Sequence, residues 1–158
     1  MSKVHCEFKL NGQRLSTLIV RWGEQVLSVP AFSGTGGHLN KRESMCSTGA
    51  GPIPIGRYLI VDRQAGGKLG WLYDYLGDKS DWFSLFALDD QIDDSMICAG
   101  LQRGQFRLHP AIGQGISRGC VTLPNIADFR TVRRLLQSAG TSEFPGTALK
   151  AYGVLVVS

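Results

Sequence analysis

On either side of Asn11-Gly12 the chain alternates apolar and polar residues, in CEFKL before the pair and RLSTLIV after it. A period of two belongs to strands that turn one face to a core and the other to water. Asn-Gly between two such runs is a strong hairpin signal, because both residues tolerate the positive φ of a tight turn. The chain is therefore expected to open as a hairpin. QVLSVPAF, GRYLIVD, WFSLFAL, QFRLH, GCVTL and the terminal AYGVLVVS read as further strands, rich in the β-branched and aromatic residues that suit a pleated, half-buried surface. Twenty glycines among 158 residues supply the tight turns that so many short strands demand.

One segment has a different period. Ile126, Phe129, Val132 and Leu136 recur at helical spacing, with Asn125 placed to cap, Asp128 in the first turn and Gly140 as a natural stop; the apolar stripe is expected to face the core. The predicted fold is mainly β with one or two helices. It forms one domain over residues 1–158, long enough to bury a core without metal or disulfide staples. Two irregular stretches stand out, SGTGGHLN running on to STGAGPIPIG, and a second from about 66 to 81. Loops of this length in a compact domain are more often functional than idle. The glycine-rich run lacks the G-x-x-x-x-G-K-[ST] phosphate-binding pattern and introduces no helix, so it reads as a turn on the rim of a cleft. GPIPIG reads as a rigid lead-in to the strand at Tyr58.

Charge and cysteine content exclude more than they assign. A net charge of +4 permits attraction to anionic polymers but singles out none. The one basic cluster, Arg130, Arg133 and Arg134, falls on the predicted helix as a solvated face, so no nucleic-acid role is expected. No apolar run reaches signal-peptide or membrane-span length, which predicts a soluble chain made in the cytoplasm. Cys6, Cys46, Cys98 and Cys120 form no C-x-x-C pair, and His5 and His38 lie near cysteines only incidentally. No metal and no cofactor is expected.

The chemistry concentrates in RLHPAIGQGISRGCVTLP, where His109 and Cys120 are eleven positions apart. A cysteine is nucleophilic as the thiolate, which needs a nearby base or cation and some exposure. If FRLH and CVTL are neighbouring strands joined by a glycine-rich loop, His109 ends one and Cys120 begins the next, at the same end of the sheet. Gly119 removes a Cβ where a substrate carbonyl must approach. Backbone amides around Arg118, Gly119 and Cys120 could stabilise an oxyanion, and Ser117 could order the turn. Against this stands the reading of Cys120 as a small buried hydrophobe. The order of the two residues argues against a papain-like amidase, whose cysteine precedes its histidine.

The pattern H-P-x(7)-S-R-G-C-V resembles the signature of the L,D-transpeptidases, in which a histidine is followed by S-x-G-C and a β-branched residue. SVPAFSGTG and GPIPIGRYLIVDR are similar to further segments of that family. The short chain, the FSG…N element over 33–40 and FRLHP look more particularly like the L,D-transpeptidase effectors of bacterial type VI secretion. The resemblance extends over about 29–136. It implies an L,D-transpeptidase-like β-sandwich, with Cys120 as nucleophile, His109 as base, and Ser117, Arg118 and Gly119 supporting the oxyanion turn. It leaves open whether Arg107, Arg118 and Ser33 bind substrate. The sequence departs from many cell-wall transpeptidases at Arg118 and Thr122, where those enzymes carry histidine and asparagine or arginine.

The implied reaction is acyl transfer on peptidoglycan stem tetrapeptides through a thioester, giving L,D-carboxypeptidase activity, D-amino-acid exchange or L,D-transpeptidation. The implied setting is an antibacterial toxin secreted into the periplasm of a target cell. Expected partners are a cognate immunity protein and a component of the secretion apparatus. The alternative is a non-catalytic, basic, β-rich module that binds an anionic wall polymer.

Overall fold

The computed structural model describes residues 3–63, 82–111 and 119–158. Twelve strands occur among them: β1 (Val4–Phe8), β2 (Ser16–Trp22), β3 (Gln25–Ala31), β4 (Gly56–Asp62), β5 (Phe83–Ala87), β6 (Ser95–Cys98), β7 (Leu101–Gly104), β8 (Arg107–Pro110), β9 (Val121–Leu123), β10 (Ser142–Glu143), β11 (Lys150–Ala151) and β12 (Gly153–Val157). One α-helix, α1 (Ile126–Ala139), lies between β9 and β10, and short 3-10 turns occupy Gly36–His38 and Arg42–Ser44. The irregular stretch from about 66 to 81 lies outside the described residues. The mainly β expectation holds.

Eight strands form one sheet in the order β3-β2-β1-β12-β4-β5-β8-β9. Phe32, just past β3, bridges back to Thr122 of β9, with N–H···O distances of 2.9 and 2.8 Å in the two directions. The expected sandwich thus takes the form of one sheet folded round its core and tied edge to edge, which protects two strand edges that would otherwise be open to aggregation. Inside lie Phe8, Leu18, Val20, Tyr58, Ile60, Phe83, Leu85, Leu108, Val121, Leu123 and Leu155. Each such side chain, fully buried, stabilises the fold by about 1.5–3 kcal/mol.

β1 and β2 form the expected antiparallel hairpin, with Phe8 opposite Leu18. The tight turn at Asn11-Gly12 does not form. Residues 9–15 make a wider connection because Gly12 N–H donates to the Asn40 carbonyl and Asn40 Nδ2 donates to the Gln13 carbonyl, both at 2.8 Å. Tertiary bonds outbid the local turn.

α1 starts and stops where its caps predict. Asn125 Oδ1 accepts from Ala127 N at 2.8 Å, and Gly140 ends the helix with φ 73°. Phe129, Val132 and Leu136 enter the core and the helix packs on β8 and β9, whereas Ile126, expected on the same stripe, is half exposed. Among the described residues no helix is long and apolar enough to cross a membrane.

The GPIPIG segment is a lead-in to β4, as expected. Its residues 51–54 are buried, and the Tyr58 hydroxyl donates to the Pro54 carbonyl at 2.7 Å. The β6–β7 hairpin is unexpected from sequence, and the pairing of Cys46 with Cys98, which the sequence leaves open, is present as a disulfide with Cα atoms 5.3 Å apart. The bridge fastens the loop after the second 3-10 turn to that hairpin.

Candidate active site

β8 and β9 are neighbours, as the sequence reading requires, but they run parallel, with His109 opposite Thr122 and Leu108 opposite Val121. The end of one strand and the start of a parallel neighbour cannot meet at the same sheet end, so that expectation is corrected. Proximity comes from register instead. Alternation sends Leu108, Val121 and Leu123 into the core beneath α1, and puts Arg107, His109 and Thr122 on the other face, with Cys120 one residue before β9. Cys120 and His109 therefore occupy adjacent strand lines, one diagonal step apart. Diagonal neighbours in a sheet stand about 7–8 Å apart at their Cα atoms, within reach of an imidazole and a thiol.

His109 is 6% exposed and held on three sides. Nδ1 lies 2.7 Å from the Pro110 carbonyl oxygen, Nε2 lies 3.5 Å from Thr122 Oγ1, and the Trp82 ring stacks on the imidazole at 4.3 Å between centroids. A carbonyl can only accept, so this contact places the proton on Nδ1 and leaves Nε2 with a lone pair that can accept a proton. The orienting group that the sequence leaves unidentified is thus a backbone carbonyl.

Cys120 is partly exposed. Its thiol donates toward the Gln105 carbonyl at 3.9 Å, and the Arg107 backbone N–H faces the sulfur. Gln105 holds φ 56°, a conformation uncommon for a side-chain-bearing residue, and this turn between β7 and β8 aims its carbonyl at the Cys120 sulfur. Desolvation pushes the thiol pKa above its ordinary value, and Asp94 adds to the rise; the Arg107 amide and the charges of Arg107 and Arg103 oppose it. Burial thus favours the protonated thiol over the thiolate.

Gly119 has φ +94°, and a Cβ there would lie 2.6 Å from Arg103 Nη2 and 2.8 Å from Phe106 Cε1. The glycine is demanded by its backbone conformation and by packing against Arg103 and Phe106, a structural demand that the sequence did not show. Ser117 and Arg118 lie outside the described residues.

The two remaining candidates are engaged within the chain. Arg107 forms a two-pronged pair with Asp94, at 2.7 Å from each carboxylate oxygen, and also donates to the Phe106 carbonyl. Ser33 is 0% exposed and its polar groups are taken up within the chain: Oγ accepts from Ile53 N at 2.8 Å and its N–H donates to Asn40 Oδ1 at 2.9 Å. It braces the loop over 33–40 directly behind the Phe32 to Thr122 bridge. Among the described residues no three His, Cys, Asp or Glu side chains converge as metal ligands would. Trp82, Gln105, Arg103 and Asp94 are site neighbours that the sequence did not point to; Thr122, two residues past the cysteine, stood out only as a departure from the family pattern.

A family model described as the Tlde1 domain matches residues 28–147. No curated protein and no solved structure matches the chain.

Proposed function

The chain belongs to the Tlde1 domain family, a type VI secretion effector domain, and on that premise we propose that it is a cysteine acyltransferase of peptidoglycan stem tetrapeptides. The observation that carries this reading is the register of β8 and β9, which sets Cys120 and His109 on adjacent strand lines while Pro110 leaves Nε2 with its lone pair.

Nε2 takes the Sγ proton as the sulfur bonds to the carbonyl carbon of the third stem residue. The carbonyl electrons move to oxygen, where the backbone amides of the turn at Ser117, Arg118 and Gly119 support the charge. As the intermediate collapses, the C–N bond breaks and the nitrogen of terminal D-alanine takes the proton from the imidazolium. The thioester is then resolved by water, giving carboxypeptidase activity, by a D-amino acid, giving exchange, or by a neighbouring stem amine, giving a 3–3 cross-link. His109 accepts the proton of whichever nucleophile attacks. The raised thiol pKa suits this sequence, in which deprotonation accompanies attack.

The site of action is the periplasm of a target bacterium. An immunity protein protects the producer, and a component of the secretion apparatus carries the chain. Incubation with purified tetrapeptide stems, followed by mass analysis, should show loss of D-alanine with the wild-type chain and none with Cys120→Ala. Matched expression should be toxic behind a periplasmic signal and nearly harmless in the cytosol, where stems are mainly pentapeptide precursors. Wall-polymer binding retained by Cys120→Ala, without any turnover by the wild type, would favour the non-catalytic module instead.

A further inference from the structure

Arg103 leaves β7 and runs inward until it is 5% exposed. Nη1 donates to the Met45 carbonyl and, at 2.7 Å, to the Pro52 carbonyl; Nη2 donates to the Gly51 carbonyl at 3.1 Å. Its guanidinium carbon lies 5.4 Å from the centroid of the Phe106 ring. These partners take three of its five N–H groups, and none of them carries a negative charge. Among the described residues it is held by neutral groups alone, and a buried cation so held is costly to maintain. Arg107 differs, since Asp94 neutralises it through two 2.7 Å contacts.

The same guanidinium presses against Gly119, where an added Cβ would sit 2.6 Å from Nη2, and Cys120 follows in the chain. The coupling is mutual: the charge of Arg103 lowers the Cys120 pKa, and negative charge on Cys120 raises that of Arg103.

We propose that Arg103 is a positioning residue for the reaction at Cys120: wedged between the carbonyls of Met45, Gly51 and Pro52 and the backbone of Gly119, it fixes the turn that presents the sulfur and supplies the buried positive charge against which negative charge on sulfur develops. The inference rests on the reading of Cys120 as nucleophile. Arginine suits both duties, because its planar fork reaches several carbonyls while its flat face lies on an aromatic ring; lysine would keep the charge and lose the fork.

The test is the pH dependence of Cys120 alkylation by iodoacetamide in the full chain, followed by intact mass, with Cys6 buried and Cys46 and Cys98 joined. Thermal melting and D-alanine release are measured beside it. Arg103→Met should move the alkylation midpoint upward by about one pH unit, lowering the neutral-pH rate about tenfold. Arg103→Lys should keep the midpoint near that of the wild type yet lose turnover, since charge persists and the carbonyl grip does not. Lower melting temperatures with an unmoved midpoint in Arg103→Met would mean a merely structural arginine and would overturn the proposal. If Arg103→Met does not fold, Arg103→Lys decides alone, a midpoint displaced by a full unit counting against the proposal. Alkylation reads the thiol whether or not peptidoglycan is the substrate, so failure of the proposed reaction and failure of this inference are distinguishable.

Discussion

Thr122 stands opposite His109 in the register of β8 and β9, and its hydroxyl lies 3.5 Å from Nε2. With the Nδ1 proton engaged by Pro110, the hydroxyl is the donor in this contact; it holds the resting ring in place and gives up the Nε2 lone pair when the Sγ proton is transferred. Thr122→Val keeps the shape and removes the donor. It should lower turnover by a factor of about five, the equivalent of one ordinary hydrogen bond, with little change in melting temperature. His109→Ala should cost about a hundredfold or more. The double variant should then be no slower than His109→Ala alone; full additivity would show that Thr122 does not act through the histidine.

Ser33 and Asn40 form a brace whose purpose can be separated from substrate binding. Asn40 is buried with φ 53°, and its amide reaches both Ser33 N–H and the Gln13 carbonyl. Ser33→Ala strands the Ile53 N–H, which should cost about 1–3 kcal/mol of stability. Denaturant melts should register that loss, while KM for tetrapeptide stems stays near the wild-type value. A raised KM with unchanged stability would restore Ser33 to the substrate.

Much of this fold is legible because local signals agree with it. GRYLIVD becomes β4 over its whole length, and Asn125 and Gly140 bound α1 as their chemistry predicts. The β6–β7 hairpin is not legible, since SMIC and LQRG carry no clean alternation and pair only with each other. Strand direction is equally silent in a sequence, so the pairing of FRLH with CVTL could be anticipated and its parallel sense could not. His109 and Cys120 stand out through spacing and residue type. Arg103 does not, because its partners Met45, Gly51 and Pro52 are about fifty residues away and offer only backbone oxygens.

The Cys46 to Cys98 bridge closes a separation of 52 residues, which a chain-entropy account values at roughly 4 kcal/mol. Replacing both cysteines with serine should therefore lower unfolding free energy by about 2–4 kcal/mol. Dithiothreitol should do the same to the wild type and nothing to the double variant. Because Met45 beside the bridge and Arg103 on the tied hairpin share a hydrogen bond, D-alanine release should fall with reduction, although reductants ordinarily protect thiol enzymes. Unchanged activity in the reduced wild type would show that the loop holds Arg103 without its tether.

Alkaline pH should destabilise the chain, and the sign follows from two groups. Burial, helped by the charge of Glu7, raises Cys6 from 9.0 to about 12. Burial also raises Tyr152 from 10.0 to about 12, aided by its 2.6 Å hydrogen bond to Asp62 and that carboxylate's charge. Between these ordinary and raised values the unfolded chain has released protons that the folded chain still holds. Folding stability is therefore fully present below about pH 9, and it falls as pH climbs toward 12. Tyr58, whose hydroxyl is buried against Pro54, acts in the same direction. Urea unfolding across this range should show a declining free energy in the wild type. Cys6→Ala and Tyr152→Phe should each start from a less stable chain at neutral pH and lose less on the way up, since each removes one retained proton. A wild-type profile that stays level up to pH 11, or slopes unchanged in both variants, would rule out these two groups as the cause.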